Sequence, residues 1–326
     1  MRYRNTWENA VVGKMEKVAE NVMEIQLIPE HGTAVFTVGS HIDISVLIND
    51  VPEVRSYSLV GQYEPNSPYT IAVKRLSESR GGSAYMWSLK EGSRLQISQP
   101  SNHFELSFNS SDYLLIAGGI GITPILGMAE QLIAKGNKNV RMLYLGNADY
   151  EMPYISRLQK MLGKQITLNF SNVNGSYNVS KVIDLCNEKT QIYLCGPIRL
   201  MNAVRKTWEE GPFENSNLRF ETFGASGLFA PQDFLLKIPR FDLQIEVKKN
   251  KTMLQALEEA HVEVMYDCKK GECGLCQVDV LEYSGDIDHR DFFFSESEKG
   301  ENNKLCACVS RVANGHIVID TAYRRK

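Results

Sequence analysis

The chain has little of what would direct it to a nucleic acid, a membrane or an export channel. Charges of the two signs nearly balance, with 36 Lys and Arg against 39 Asp and Glu and a formal net charge of −3. There is no basic excess to hold rows of phosphates and no charge of one sign to draw the chain onto an anionic lipid surface. The N-terminus, MRYRNTWENAV, lacks the apolar stretch of a signal peptide. Long uninterrupted apolar runs are also missing. Tyr113 to Ala134 is mostly apolar, but Gly118-Gly119-Ile120-Gly121 and Thr123-Pro124 break it, and Glu130 and Gln131 lie inside it. No internal repeat, low-complexity segment or amphipathic seam is present. The expectation is a cytoplasmic monomer with neither nucleic acid nor membrane as a partner.

Cysteine is sparse and odd in number, seven in 326 residues. A disulfide framework is therefore disfavoured, and a reducing setting suits the chain better. The cysteines that are present cluster. Cys268-Lys-Lys-Gly-Glu-Cys273-Gly-Leu-Cys276 is followed some thirty residues on by Cys308, a C-x4-C-x2-C…C spacing that belongs to plant-type 2Fe-2S clusters. Gly271 and Gly274 let the loop backbone turn its N–H groups toward sulfur. A structural zinc site also uses four thiolates, but it pairs them as C-x2-C twice, and the second half has no such pair here. Two residues compete for the fourth ligand. Cys306 lies at the spacing common in ferredoxins and Cys308 two residues beyond. A hairpin lengthened around Tyr283-Ser284-Gly285, and a strand at Ile317–Ile319, favour Cys308. Cys186 and Cys306 are then ordinary buried thiols.

The chain is too long for one ordinary core, and its texture changes twice. Residues 1–108 show short alternating runs at Val11–Val18, Val22–Leu27, His41–Val46, Ser56–Val60, Tyr69–Val73 and Arg94–Ser98, with a helix near Ser83–Leu89. This is the pattern of a closed antiparallel β-barrel. Residues 109–224 alternate apolar strands (Tyr113–Ala117, Val140–Leu145, Ile166–Phe170, Gln191–Cys195) with helical segments, which implies an α/β domain on a parallel sheet. A small-residue linker follows at 225–237. Residues 238–326 form a third, α+β unit that holds the cysteine loop, with a strand at Phe241–Lys248 and a helix at Thr252–Ala260.

Two further motifs carry chemistry. The strand Tyr113–Ala117 runs into Gly118-Gly119-Ile120-Gly121-Ile122-Thr123-Pro124, where Thr123 reads as an N-cap and Pro124 as the first helical residue. Such a strand–loop–helix junction can receive a diphosphate. Cys195-Gly196-Pro197 ends another strand at the same sheet edge, where open α/β folds bind ligands. In the barrel, Arg55-Ser56-Tyr57-Ser58 sets Arg55 and Tyr57 on one face of a strand. Arg80-Gly81-Gly82-Ser83 offers a phosphate cradle, and arginine grips phosphate with paired hydrogen bonds.

Taken together, RSYS, SRGGS, GGIGITP, CGP and CKKGECGLC, in this order over essentially the whole chain, resemble the phthalate dioxygenase reductase family. Ile287-Asp-His-Arg-Asp291, Ser297-Glu-Lys-Gly300 and Cys308-Val-Ser-Arg311 are further family-like signatures. The resemblance implies a multidomain chain with a flavin β-barrel, a nucleotide α/β domain and a ferredoxin-like 2Fe-2S domain. It implies FMN, NADH and the cluster as cofactors. Arg55 and Ser83 then look like phosphate contacts, with Arg80, Gly81 and Gly82 beside them, Tyr57 like the ring-stacking residue, and Ser58 like a hydrogen bond near flavin N5. Ser56, Ala72 and Lys74 complete the expected flavin-binding set. Gly118, Gly119, Gly121 and Thr123 would face the NADH diphosphate and ribose, while Cys195, Gly196, Pro197 and Glu221-Thr222-Phe223 lie near the nicotinamide. The strand end at Tyr144–Asn147 lacks the arginine seen in relatives, which favours NADH over NADPH. Cys268, Cys273, Cys276 and Cys308 are the expected iron ligands. No side chain is expected to act as acid or base. The implied activity is the reductase component of a Rieske-type oxygenase system, taking electrons from NADH to the terminal oxygenase. The alternatives are reduction of another acceptor, such as a soluble ferredoxin or a haem protein, and a non-enzymatic redox sensor.

Overall fold

A computed structural model describes residues 6–76, 81–223 and 227–321. Arg80 and the linker start Gly224-Ala225-Ser226 lie outside the described residues. Contacts gather the chain into two compact units. One holds the described residues up to Gly196 with Leu200–Glu221; the other holds Pro197–Arg199 and the residues from Thr222 on.

The first unit begins with strands β1 (Trp7–Ala19), β2 (Val22–Pro29), β3 (Ser40–Ile48), β4 (Val51–Ser58) and β5 (Tyr69–Lys74), helix α1 (Gly82–Ser88), then β6 (Arg94–Ser98) and the short β7 (Ser101–Asn102). Their order is β4-β3-β6-β1-β2-β5, with β7 beside β3. Closure comes just after β4. Leu59 bridges Ile71, and Val60 N–H donates to the Thr70 carbonyl at 2.8 Å. The interior is filled by Ile25, Leu27, Ile42, Ile44, Ile71 and Met86.

One boundary differs from the sequence reading. The fourth strand runs Val51–Ser58 rather than Ser56–Val60. Asn49 and Asp50 both adopt left-handed φ, 51° and 63°, and close a two-residue hairpin that pairs Ile48 with Val51. Asn and Asp are the non-glycine residues that tolerate this geometry best. Pro52 is accommodated because β4 stands at the end of the strand order.

The same unit continues with β8 (Asp112–Gly118), α2 (Ile122–Ala134), β9 (Asn139–Gly146), α3 (Ile155–Leu162), β10 (Ile166–Phe170), the short α4 (Ser171–Asn174) and α5 (Ser180–Ile183), β11 (Gln191–Cys195), α6 (Ile198–Glu209) and β12 (Leu218–Glu221). The sheet is parallel throughout, in the order β10-β9-β8-β11-β12. β8 and β11, at its centre, are buried along both faces, which is why they read as unbroken apolar runs. The long apolar stretch from Tyr113 thus splits into β8 and α2. Among the described residues no helix is long and apolar enough to cross a membrane.

The second unit contains β13 (Phe234–Ile238), β14 (Leu243–Val247), α7 (Met253–Glu259), β15 (Gln277–Tyr283), β16 (Asp286–Asp288), α8 (Glu296–Glu301), β17 (Lys304–Cys306), β18 (Arg311–Ala313) and β19 (His316–Asp320). A mixed sheet runs β14-β13-β19-β15-β17, and β16 pairs with β18. β13 begins at Phe234, inside the stretch read as linker, because it pairs with both β14 and β19. Both helices carry complete capping boxes, Thr252 with Gln255 and Ser295 with Glu298. The family-like signatures also have structural duties. Arg290 and Asp288 form a buried ion pair at 2.6 Å, and Arg311 donates to the carbonyls of Gln232, Lys248 and Lys251.

Candidate functional site

At the carboxyl ends of β8 and β11, two loops press backbone against backbone. A Cβ on Gly121 would lie 2.2 Å from the Cys195 carbonyl oxygen, and one on Gly196 would lie 3.0 Å from Gly118 Cα. Only glycine permits this approach. The helix start differs from expectation. A 3-10 turn at Gly119–Gly121 precedes α2, so Ile122 rather than Pro124 is the first helical residue. Thr123 is not an N-cap; its hydroxyl donates to the Ile120 carbonyl at 3.0 Å. Gly121 occupies the N-cap position without a side-chain cap, and the Ile122 N–H is already satisfied by the 3-10 turn carbonyls. Next to β11, Glu221 stands in register with Cys195 and is buried.

In the barrel, Arg55 and Tyr57 share one face of β4, while Ser56 faces the other way, exposed, and donates to Asp43 at 2.6 Å. The structure therefore does not bring Ser56 to the side of Arg55 and Tyr57. Arg55 pairs with Glu53 at 2.7 Å and lies across the start of α1. A Cβ on Gly82 would come 2.8 Å from Arg55 Nε. Gly81, at φ +91°, lets the chain turn into that helix, and Ser83 sits in its first turn. This glycine-lined approach of a guanidinium to a helix start fits a phosphate. Burial pushes the Tyr57 phenol up to about 12, against the pull of Arg55. Ser58, at the end of β4, is buried and donates to Glu221. On β5, Ala72 is buried, and Lys74 lies 3.8 Å from Glu151.

In the second unit the cysteine loop folds on itself. Lys269, Gly271 and Gly274 adopt left-handed φ of 53°, 77° and 71°. The N–H groups of Lys270 and Glu272 both point at Cys268 Sγ, each at 3.4 Å. Cys268 lies within hydrogen-bond reach of Cys273. Cys276 lies within reach of Cys306 and Cys308, whose thiols hold it down to about 3. Cys308 faces the loop, receiving the Gly271 N–H and sensing Cys268, whereas fully buried Cys306 lies toward the Asp291 carboxylate. Among the described residues no group of three His, Cys, Asp or Glu converges to hold a single metal ion. The arrangement is two groups of sulfurs, Cys268 with Cys273 and Cys276 with Cys306 and Cys308, with N–H donors around them; four of the five suffice to hold a cluster of two irons.

Thr222 behaves differently from its neighbours in the sequence. Phe223 is exposed, but Thr222 is buried and engages Glu272 and Lys270 of the cysteine loop. Sequence reasoning passed over Glu272. The visible signal was an acidic residue directly before Cys273.

Three family models match. The oxidoreductase FAD-binding domain covers residues 9–106, the oxidoreductase NAD-binding domain 115–206, and the 2Fe-2S iron-sulfur cluster binding domain 237–313. Phthalate dioxygenase reductase of Burkholderia cepacia is 30% identical over 317 residues, spanning 95% of this chain and 96% of that protein. The heme-dependent oxidative N-demethylase beta subunit of Ectopseudomonas mendocina is 32% identical over 288 residues, spanning 87% and 89%. The solved structure of a phthalate dioxygenase reductase, described as a modular structure for electron transfer from pyridine nucleotides to the cluster, superposes with a TM-score of 0.73 at 29% identity, over 97% of this chain and 98% of that one.

Proposed function

The chain belongs to the phthalate dioxygenase reductase family, and from that premise we propose that it is the NADH-dependent reductase component of a Rieske-type oxygenase system. The observation that carries the reading is the cysteine loop, with its sulfurs already paired and two backbone N–H groups aimed at Cys268. Flavin and iron–sulfur cluster, when bound, supply the conversion of a two-electron hydride into single electrons. The chain's own residues hold and orient. Arg55, with Gly81, Gly82 and Ser83, takes the flavin phosphate, and FMN is the flavin we assign. Tyr57 would stack on the ring, and Ser58 would offer a hydrogen bond near its reacting edge. The Gly118–Thr123 loop receives the dinucleotide diphosphate, with Cys195, Gly196 and Glu221 toward the nicotinamide. The strand end at Tyr144–Asn147 lacks the arginine often seen there in relatives, which weakens any grip on a 2′-phosphate and favours NADH. Cys268, Cys273, Cys276 and Cys308 hold the irons.

We assign flavin to residues 1–108, NADH to 109–224 and the cluster to the residues from β13 onward, with a connecting segment that ends before Phe234. A reducing, cytoplasmic setting suits thiols that must stay available to iron, and a monomer is the state we assign because no amphipathic seam suggests otherwise. A second reading keeps the chemistry and changes the acceptor to a haem protein; the similarity to the N-demethylase beta subunit favours it. Turnover with Rieske oxygenase and haem acceptors, side by side, separates the two.

The test of the proposal is spectroscopic and kinetic. The anaerobically purified chain should show flavin and iron–sulfur bands, both bleached by NADH. Cys273→Ser should abolish transfer to the oxygenase and spare NADH–ferricyanide activity. Equal loss of both in a folded variant rejects the sequential chain.

A further inference from the structure

Thr222 is the first residue of the second unit beyond its short Pro197–Arg199 segment, and only 3% of it is exposed. Its N–H donates to Glu272 Oε1 at 3.1 Å. Its hydroxyl lies 3.0 Å from that same oxygen and 3.0 Å from the Lys270 carbonyl. A hydroxyl has one proton to give, so it is shared between the two acceptors, while the N–H holds Glu272 throughout.

Lys270 and Glu272 are also the residues whose N–H groups point at Cys268 Sγ. Thr222 thus grips each N–H donor residue by another of its groups, Lys270 by its carbonyl and Glu272 by its carboxylate. The loop that carries them has no regular secondary structure and turns through left-handed Lys269 and Gly271. No helix or strand fixes the direction of those two N–H bonds; the Phe292 N–H anchors the Gly271 carbonyl at 2.9 Å from one side, and Thr222 grips the two donor residues from another. Hydrogen bonds to ligand sulfur stabilise the more negative, reduced state of an iron–sulfur cluster and raise its potential.

We propose that Thr222 and Glu272 are positioning residues that set the cluster's reduction potential by holding the Lys270 and Glu272 N–H groups on Cys268. This rests on the reading that the loop carries a 2Fe-2S cluster. It adds a determinant outside the ligand set, 46 residues before the first ligand. Glu272 also has a direct effect of opposite sign, since a carboxylate near the cluster disfavours the added electron. The two effects separate in variants that both lack the charge but differ in accepting ability.

The experiment is a redox titration of the full, anaerobically reconstituted chain, followed by electron paramagnetic resonance, with iron and sulfide counted per chain. Thr222→Val should keep the iron count, shift the cluster potential negative by several-fold in the electron equilibrium, and change the g-values. Thr222→Ser should restore both. Glu272→Gln keeps an acceptor for Thr222 and Glu272→Ala does not, so the Gln variant should have the higher potential. Full iron with wild-type potential and g-values in Thr222→Val overturns the proposal, as does equality of the Gln and Ala variants. Should Thr222→Val lose iron, the Gln–Ala comparison decides. A wild-type chain that never acquires the cluster spectrum defeats the functional reading instead, before any potential is compared.

Discussion

Ser58 Oγ donates to Glu221 Oε2 across 3.4 Å, with both side chains buried and 163 residues apart in sequence. The bond ties the end of β4 to the last residue of β12, which stands in register with Cys195. A hydroxyl proposed to approach the flavin is thereby held by a carboxylate at the sheet edge proposed to receive the nicotinamide. Ser58→Ala and Glu221→Gln should each slow NADH-driven flavin reduction by about ten- to a hundred-fold, the range for misaligning reacting groups. Stopped-flow absorbance under anaerobic conditions measures it. Wild-type rates in both variants would remove the pair from hydride transfer.

The backbone contact between the two nucleotide loops gives a second expectation. In Gly121→Ala the new Cβ would stand 2.2 Å from the Cys195 carbonyl oxygen, so the loops must part. Overpacking of this kind costs about 1–3 kcal/mol of stability. The KM for NADH should rise about tenfold or more, while the flavin stays bound. Gly119→Ala is the control. Its Cβ meets nothing within 4 Å, but its φ of +54° is strained for alanine, so it should cost about 1 kcal/mol and leave the loops in contact. Thermal melting and NADH titration of the two variants distinguish separation from strain.

Much of this arrangement was legible because it is local. The glycine loops, the Cys268–Cys276 run and each single apolar strand lie within a dozen residues, where backbone geometry dictates residue type. The strand from Val51 was misplaced because Asn49-Asp50, the hairpin turn, is less emphatic than Asn-Gly, and Pro52 reads as a break. Thr123 looked like a cap because capping propensity ignores a 3-10 turn that begins four residues earlier. The bonds from Ser58 to Glu221 and from Thr222 to Glu272 had no sequence signature. They join residues far apart in the chain and depend on tertiary packing.

The buried pair in the second unit supports a third expectation. Arg290 and Asp288 are 6% and 1% exposed and meet at 2.6 Å, and Arg290 also donates to the Phe229 carbonyl while Asp288 accepts from Leu228 N–H. Asp288→Ala strands a buried guanidinium, which should destabilise this unit by about 3–5 kcal/mol. Replacing both, as Asp288→Leu with Arg290→Met, should cost less, because no uncompensated charge remains. Denaturant unfolding followed by loss of the iron–sulfur absorption compares them. Equal destabilisation would mean that packing, and not the stranded charge, dominates.

The choice of fourth ligand can be settled by two serine variants. Both candidate sulfurs lie within reach of Cys276, so proximity to that residue does not discriminate. Their other neighbours do. Cys308 receives the Gly271 N–H and senses Cys268 from the far pair, whereas Cys306 ends β17, paired with Gln277, and lies toward the buried Asp291 carboxylate. A carboxylate repels a thiolate, and an N–H donor attracts one. Cys306→Ser should therefore retain two irons and two sulfides per chain with an unchanged spectrum. Cys308→Ser should lose the cluster, or hold it with the blue-shifted absorption of oxygen ligation. Iron loss from Cys306→Ser with retention in Cys308→Ser would reverse the assignment and place the fourth ligand at the ordinary ferredoxin spacing.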